Sequence, residues 1–504
     1  MEDKTNKKQF DSINLISYLN EIEEIVIKTI VSSLTDKLSE QNLRILLQPW
    51  ARTIVHSIFA AIKTIKIDNN QEIFFDNAPG ETIKFMEFSR SDSYIEYLRN
   101  NKNCILKINK KTRVLKPPLF FYAKYLFFQT GVPKKIINKL IFFNFLTYGK
   151  ISSKRKEIFF KINETLRQKI LCDLEKNLNI NNKIWISARL VEMLPRSLVE
   201  GLNYQILRYS KNYKFKYIFS SDSWSSVDEF KIFSLTQRQL RYLSLVGTPH
   251  SLNYSTLENF WNREYELSFL DKYLLWGSFN IYNNNKCIPF YSPKYILNKK
   301  KIANSVNEQL PIIFTGAARP SHTVEYPHTN SLFRDYLHKQ ILISQKINET
   351  LNKKINIRTR ERNRGTQLEK LIKSYKNLEN ISISYQKNDF LNVLKNFSLH
   401  ITDNTSTTIL DTFLYNFPTI IILDNLYFKL SNNALSTFSG LAEVGVYHNN
   451  LNSLLNHLNL INCRINDWWQ SEKVQFEIDK FLDLHARVLD NEFAWKEHFE
   501  KVLQ

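Results

Sequence analysis

Residues 400–422 read HITDNTSTTILDTFLYNFPTIII, with five hydroxyl side chains (Thr402, Thr405, Ser406, Thr407 and Thr408) in seven positions before an apolar segment. A buried strand has no use for so many hydroxyls. A helix start that must hold an anion does: Ser406 or Thr407 caps a helix opening near Thr408. The strand FSLHI ends just before it, so the free N–H groups, the helix dipole and the hydroxyls meet where a parallel sheet leaves its ligand crevice. That is the chemistry of a phosphate or diphosphate site, and a plain N-cap is the bland alternative. Arg358, Arg360, Arg362 and Arg364 follow the strand KINI in the same region. At the carboxyl end of that strand a guanidinium can pair with donor phosphates, although such a charge run also suits a solvated surface.

A second group lies in residues 247–277, GTPHSLNYSTLENFWNREYELSFLDKYLLWG. His250 is the only histidine between His56 and His322, and it stands where a strand gives way to a turn. A neutral imidazole there donates to a phosphate or takes a proton. The segment is read as extended chain, and of Glu264 and Glu266 at most one is expected to enter a site.

These residues need elements to hold them. Leu19, Ile22, Val26, Ile30, Leu34 and Leu38 recur at helical spacing, and a second helical pattern follows, with a turn or kink expected near Pro49. Strands are expected around residues 213–220, 242–247 and 273–276. After a polar junction at 295–309, strands (LPIIFTG, KINIRTR, NISIS, FSLHITD, PTIIIL) alternate with helices. Such alternation predicts an α/β protein with a parallel, helix-covered, Rossmann-like sheet. The expected division is an acceptor-side domain over 1–300, a nucleotide-donor-binding domain over 301–460 and a helical tail over 461–504.

Composition sets further bounds. The chain has 504 residues and a net charge of +20, and residues 97–156 hold fifteen Lys or Arg and no Asp or Glu. Large aromatics are interleaved there, which fits an anionic membrane surface. It also fits single-stranded nucleic acid, though none of the usual nucleic-acid motifs is present, or a core hairpin with a solvated basic rim. The polar N-terminal stretch lacks the apolar core of a signal peptide, and no long apolar run predicts a spanning helix. Cys104, Cys172, Cys287 and Cys463 are scattered. They read as reduced core residues of a cytoplasmic protein, with no metal site.

Together the segments resemble a family of largely uncharacterised transferases linked to bacterial surface-polysaccharide synthesis. That family is distantly similar to capsule Kdo transferases and CDP-glycerol glycerophosphotransferases of the two-domain GT-B fold. Its central motif runs Gln-His-Gly-Gly-x-Tyr-Gly, Glu-x-x-Glu, Asp-x-Tyr-x-x-Trp-Gly. His250, Tyr254, Glu266, Asp271, Tyr273, Trp276 and Gly277 fall on it without a gap. LRILLQPW (43–50), STTILDTFLYNFPTI (406–420), GLAEVGVYHNN (440–450) and INDWWQ (465–470) match further blocks. Pro249, Ser251 and Leu252 depart from the motif, which closes the turn beside His250 to a near approach by substrate. The family's Arg-x-Tyr-Pro is kept only as Arg358-Thr-Arg.

The resemblance implies two Rossmann-like domains facing a cleft, with a helical start and a C-terminal helix packing back. It implies transfer of a sugar or polyol phosphate from a nucleotide-activated donor to a cell-surface glycan or lipid-linked acceptor, without cofactor. Ser406, Thr407, Thr408, Arg358 and Arg319 would hold the donor phosphate, and His250 or Glu266 would take the acceptor's proton. Tyr254, Asp271 and Asp411 would support them. The chain has no Asp-x-Asp, in keeping with a metal-independent reaction. A catalytically degenerate binding protein at a membrane surface or on a polyanion is the rival, and Glu264, Glu266 and Asp271 keep a nucleotide-sugar epimerase of the same architecture open.

Overall fold

The computed structural model describes residues 2–34, 36–66, 112–115, 123–130, 132–143, 148–151, 155–158, 160–180, 183–211, 213–221, 223–278, 284–295, 305–317, 330–359, 368–375, 378–385, 389–489 and 491–503. Arg319, Arg360, Arg362 and Arg364, most of the 295–309 junction and much of the 97–156 window lie outside them.

Two long helices open the chain, α1 (Glu2–Val31) and α2 (Glu40–Lys66). Leu19, Ile22, Val26 and Ile30 of α1 are buried, as are Leu43, Leu46, Leu47, Trp50 and Ile54 of α2. The helix continues through Pro49 rather than turning there. Proline removes one N–H, and the packing of its neighbours outweighs that loss: Trp50 is 2% exposed and its indole N–H donates to the Met193 carbonyl.

The first domain contains β1 (Thr112–Leu115), β2 (Tyr125–Phe127), α3 (Lys134–Phe143), β3 (Tyr148–Lys150), β4 (Arg155–Ile158), α4 (Glu164–Asn177), α5 (Lys183–Met193) and α6 (Leu202–Tyr209). It continues with β5 (Tyr217–Ser220), α7 (Ser223–Ser226), α8 (Asp228–Arg241), β6 (Ser244–Gly247), α9 (Asn253–Thr256), α10 (Trp261–Phe269), β7 (Lys272–Leu275) and β8 (Cys287–Pro289). Its six-stranded sheet has the order β3-β2-β5-β6-β7-β8 and is parallel throughout. Where described, the basic window is therefore partly sheet: β2 is an inner strand with all three residues buried, and β1 pairs antiparallel with β4.

The second domain holds β9 (Ile312–Thr315), α11 (Asn330–Leu351), β10 (Ile355–Thr359), α12 (Leu368–Lys373), β11 (Ile381–Tyr385), α13 (Phe390–Leu394) and β12 (Leu399–Thr402). Then come α14 (Thr407–Tyr415), β13 (Thr419–Ile422), α15 (Asn432–Glu443), β14 (Tyr447–His448), α16 (Leu451–Ile461) and α17 (Ile465–Gln470). Its parallel sheet runs β11-β10-β9-β12-β13-β14, so the strand order reverses between β9 and β12. A reversal of this kind opens a crevice at the carboxyl ends of the two strands, the usual ligand position of an open α/β sheet.

Two last helices tie the domains together. Phe481 of α18 (Glu472–His485) packs on Phe413 and Phe438 of the second domain. Trp495, Phe499 and Leu503 of α19 (Glu492–Leu503) then cover Tyr125, Phe127, Phe219, Val246 and Leu274 of the first sheet. This is the two-domain α/β arrangement with a returning C-terminal helix that the resemblance implies. Among the described residues no helix is long and apolar enough to cross a membrane.

Candidate functional site

The hydroxyl-rich stretch sits at the strand-order reversal. Leu399, Ile401 and Thr402 of β12 are fully buried, and the chain leaves the sheet at Thr402. Ser406 takes an extended backbone (φ −86°, ψ 173°) and caps α14: its Oγ accepts from Thr408 N at 3.4 Å and lies 2.6 Å from Thr408 Oγ1. The first turn of α14 carries no acidic residue. Its dipole and opening N–H groups meet no carboxylate within that turn, and Ser406, Thr407 and Thr408 are only half-buried.

The neighbouring Thr405 is wholly buried and donates its hydroxyl to Asn253 Oδ1 at 2.6 Å. Asn253 opens α9, three residues after His250. That hydrogen bond joins the loop after β12 to the loop after β6, so the two strand ends face one another across the domain junction. The junction continues through a bridge between Leu257 and Leu430, with Glu258 N donating to Lys429 O at 3.0 Å and Ser431 N to Thr256 O at 2.9 Å. Asp411 of α14 accepts from Lys294 Nζ and from Tyr295 Oη, each at 2.7 Å. It is an interdomain tie.

His250 is half-buried, with its ring edge-on to Tyr254 at 4.8 Å between centroids. Neither Ser251 nor Leu252 has positive φ, and the Leu252 side chain is 1% exposed. The residues standing in place of the motif glycines thus need no left-handed backbone, and Leu252 points into the core instead of the cleft.

Glu266 does not suit the role of base. Residues 261–269 form α10, not extended chain, because Trp261, Tyr265 and Phe269 recur every fourth residue and pack along one face, the first pair stacked at 5.0 Å and the second tilted at 5.1 Å. Glu266 is fully buried, and its two oxygens accept from Tyr254 Oη at 3.0 Å and Tyr273 Oη at 3.2 Å. Glu264 is exposed on the same helix. Asp271 likewise braces the sheet, its carboxylate accepting from Leu245 N at 2.7 Å. Much of the 247–277 motif is therefore scaffold under His250.

Arg358 lies near the end of β10 but is only 5% exposed, and its guanidinium covers the Phe390 ring at 5.6 Å on the α13 side of the sheet. Burial pushes its pKa down, with Asp389 opposing the shift.

Sequence reasoning passed over Asp403 and its partners. Asp403 follows the last residue of β12 and is 5% exposed. Its Oδ1 accepts from Tyr336 Oη at 2.6 Å and its Oδ2 from Gln340 Nε2 at 3.3 Å. Tyr336 Oη in turn accepts from Ala317 N, in the loop after β9, at 2.6 Å. A Cβ on Gly316 would meet the Gln340 amide and lie 2.8 Å from Tyr336 Oη, so a larger residue there would displace the side chains that hold Asp403. The sequence signal was there: Tyr336 and Gln340 are polar residues at i and i+4 on the buried stripe of α11.

The sequence of residues 81–499 matches the model of the LIC12162 family transferases. The chain belongs to that family. Members are transferases, and this chain carries the family pattern from residue 81 to residue 499. No curated protein matches it in sequence. Among solved structures it is similar to an O-GlcNAc transferase from Thermobaculum terrenum (8% identity, TM-score 0.41, covering 92% of this chain and 79% of that one). Others are a protein described as a UDP-N-acetylglucosamine 2-epimerase from Listeria monocytogenes (11%, 0.40, 75% and 96%) and MurG from Acinetobacter baumannii (10%, 0.33, 75% and 98%).

Proposed function

We propose that this transferase moves a sugar, or a polyol phosphate, from a nucleotide-activated donor to a hydroxyl of a glycan or lipid-linked acceptor. The observation that carries the reading is the half-exposed N-terminus of α14. It lacks an acidic residue, bears Ser406, Thr407 and Thr408, stands at the strand-order reversal of the second sheet, and faces the His250 loop through Thr405 and Asn253. In the sugar-transfer form, the acceptor oxygen bonds to the anomeric carbon as that carbon's bond to the donor phosphate oxygen breaks. The bonding pair leaves with the nucleotide, and the α14 amides and hydroxyls stabilise the charge growing on it. His250 takes the acceptor proton. Glu266 holds Tyr254 and Tyr273 behind it and takes no part in the proton transfer. The helix terminus supplies the electrostatic role, so the reaction proceeds without a metal.

Thermal unfolding against CMP, CDP, UDP, GDP and dTDP in EDTA tests the reading. A nucleotide present at about 100 times its dissociation constant adds about 2.7 kcal/mol to the folded state. One nucleotide should stabilise the protein, and Ser406→Ala/Thr407→Ala should abolish that increment while costing about 1 kcal/mol as a lost cap. A folded protein that no nucleotide stabilises would overturn the donor reading. Salt-dependent binding to polyanions in its place would support the non-catalytic rival.

A further inference from the structure

One buried group in the second domain is left without a part in that reaction. Asp403 stands three residues before Ser406, at the same crevice, in the turn that carries the chain from β12 into α14. Its bonds come from neutral donors: Tyr336 and Gln340 of α11, and the neighbouring Asn404. Its own N–H donates to the Thr315 carbonyl of β9 at 3.3 Å. Beyond this shell, the Tyr427 ring packs edge-on against Tyr336 at 5.5 Å, and Lys339 pairs with Asp424 on the outer side. On the far side of Thr315, His400 bonds its Oγ1 at 2.8 Å and is held neutral by burial, its pKa lowered to about 3. Among the described residues no cation pairs with Asp403, and burial raises its carboxyl to about 7, with the hydrogen bonds from Tyr336, Gln340 and Asn404 opposing the shift.

A carboxylate in this position repels an anion brought to the α14 N-terminus, and a carboxylic acid does not. We infer that Asp403 is a protonatable positioning residue of the donor site, taking up a proton as the donor's phosphates settle on α14. The inference rests on the donor reading above and deepens it. Oδ2 is the oxygen that accepts the proton, because its contact with Gln340 is the longer one. Oδ1 goes on accepting from Tyr336, so Tyr336 stays fixed under Ala317 N and the loops after β9 and β12 keep their spacing. Donor binding and loop geometry are thereby linked to one proton.

The test is calorimetric titration of the full chain with CMP, CDP, UDP, GDP and dTDP, in buffers of different ionisation enthalpy, between pH 6 and 8.5. Wild type should take up close to no proton at pH 6 and about one at pH 8, and its Kd should rise by up to about tenfold per pH unit above 7. Asp403→Asn should bind with a Kd nearly flat in pH and lose that uptake. Uptake by the nucleotide phosphate itself is common to both proteins and cancels in the difference. Tyr336→Phe is the second variant, in case the first does not fold. It removes a bond that favours the carboxylate, so the rise in Kd should move to higher pH and uptake at pH 7.5 should fall. Equal uptake in wild type and Asp403→Asn, or none in wild type while nucleotide binds, overturns the inference and leaves the phosphate site intact. Failure of all five nucleotides to bind sinks both.

Discussion

His250 and Glu266 lie in one motif but in different surroundings. The two are sixteen positions apart in a pattern whose spacing the chain keeps without a gap, yet Glu266 is sealed beneath Tyr254 and Tyr273 while His250 remains half-buried at the end of β6. Their substitutions should separate cleanly. Glu266→Gln places an amide N–H₂ against one tyrosine hydroxyl, so it should cost about 1–3 kcal/mol of stability in a urea melt. The folded fraction should still release nucleotide from donor at near the wild-type rate. His250→Ala should melt almost as wild type does and lose about 10²–10⁴-fold in turnover. Full loss of turnover in a folded Glu266→Gln protein would restore Glu266 as the base. Residue types and spacing were enough to find both side chains. Their roles were not legible, because which of two polar residues meets solvent depends on α10, and an extended reading of 261–269 hid that helix. The recurrence of Trp261, Tyr265 and Phe269 every fourth residue was the available signal.

At the level of elements, strands with strong apolar runs were legible almost to the residue. Expected strands at 354–360, 397–403 and 418–423 are β10, β12 and β13. By contrast, β2 and β3 have three residues each and lie among lysines and aromatics, so no period could mark them. Nor does sequence show what a strand end must accommodate. Gly277 closes the motif, and a Cβ there would collide with the backbone carbonyl of Leu484 at the end of α18. Trp276 O accepts from Arg487 N at 2.6 Å, and Ser278 N donates to Asp483 O at 3.3 Å. The Trp-Gly end of the motif is thus the seat of the C-terminal helix. Gly277→Ala should destabilise the protein by about 1–3 kcal/mol, since backbone cannot move aside as a side-chain tip does. Hydrogen exchange should quicken at residues 483–489 before it does in β9 or β12, and stabilisation by nucleotide should survive. Uniform quickening would mean that α18 is not a separately docked element.

Over the whole molecule, one of the groups that join the two domains is a buried histidine. His485 at the end of α18 bonds Ser255 of α9 through Nδ1 at 3.1 Å and Thr437 of α15 through Nε2 at 3.0 Å. One ring nitrogen spans to each domain, so the neutral imidazole donates on one side and accepts on the other. Burial lowers its pKa from 6.5 to about 3. Below pH 6.5 the unfolded chain binds this proton and the folded protein does not, so the stability His485 contributes is present above 6.5 and is lost as pH falls toward 3. Glu23 and Asp403, both raised by burial to about 7, act in the opposite sense: their contribution is present below about pH 4 and is lost as pH rises through 7. Between pH 4.5 and 6.5 the two trends run against each other, so the wild-type curve conceals each group. A variant difference isolates the histidine. His485→Gln should be less stable than wild type at pH 7.5, having lost one or both hydroxyl bonds. That gap should narrow by about 2 kcal/mol at pH 5, where wild type alone bears the cost of a histidine it keeps unprotonated. Urea melts at the two pH values measure the gap. A gap that stays constant would mean that His485 protonates in the folded protein, and that the seam between the domains admits water and charge at the point where α18 crosses it.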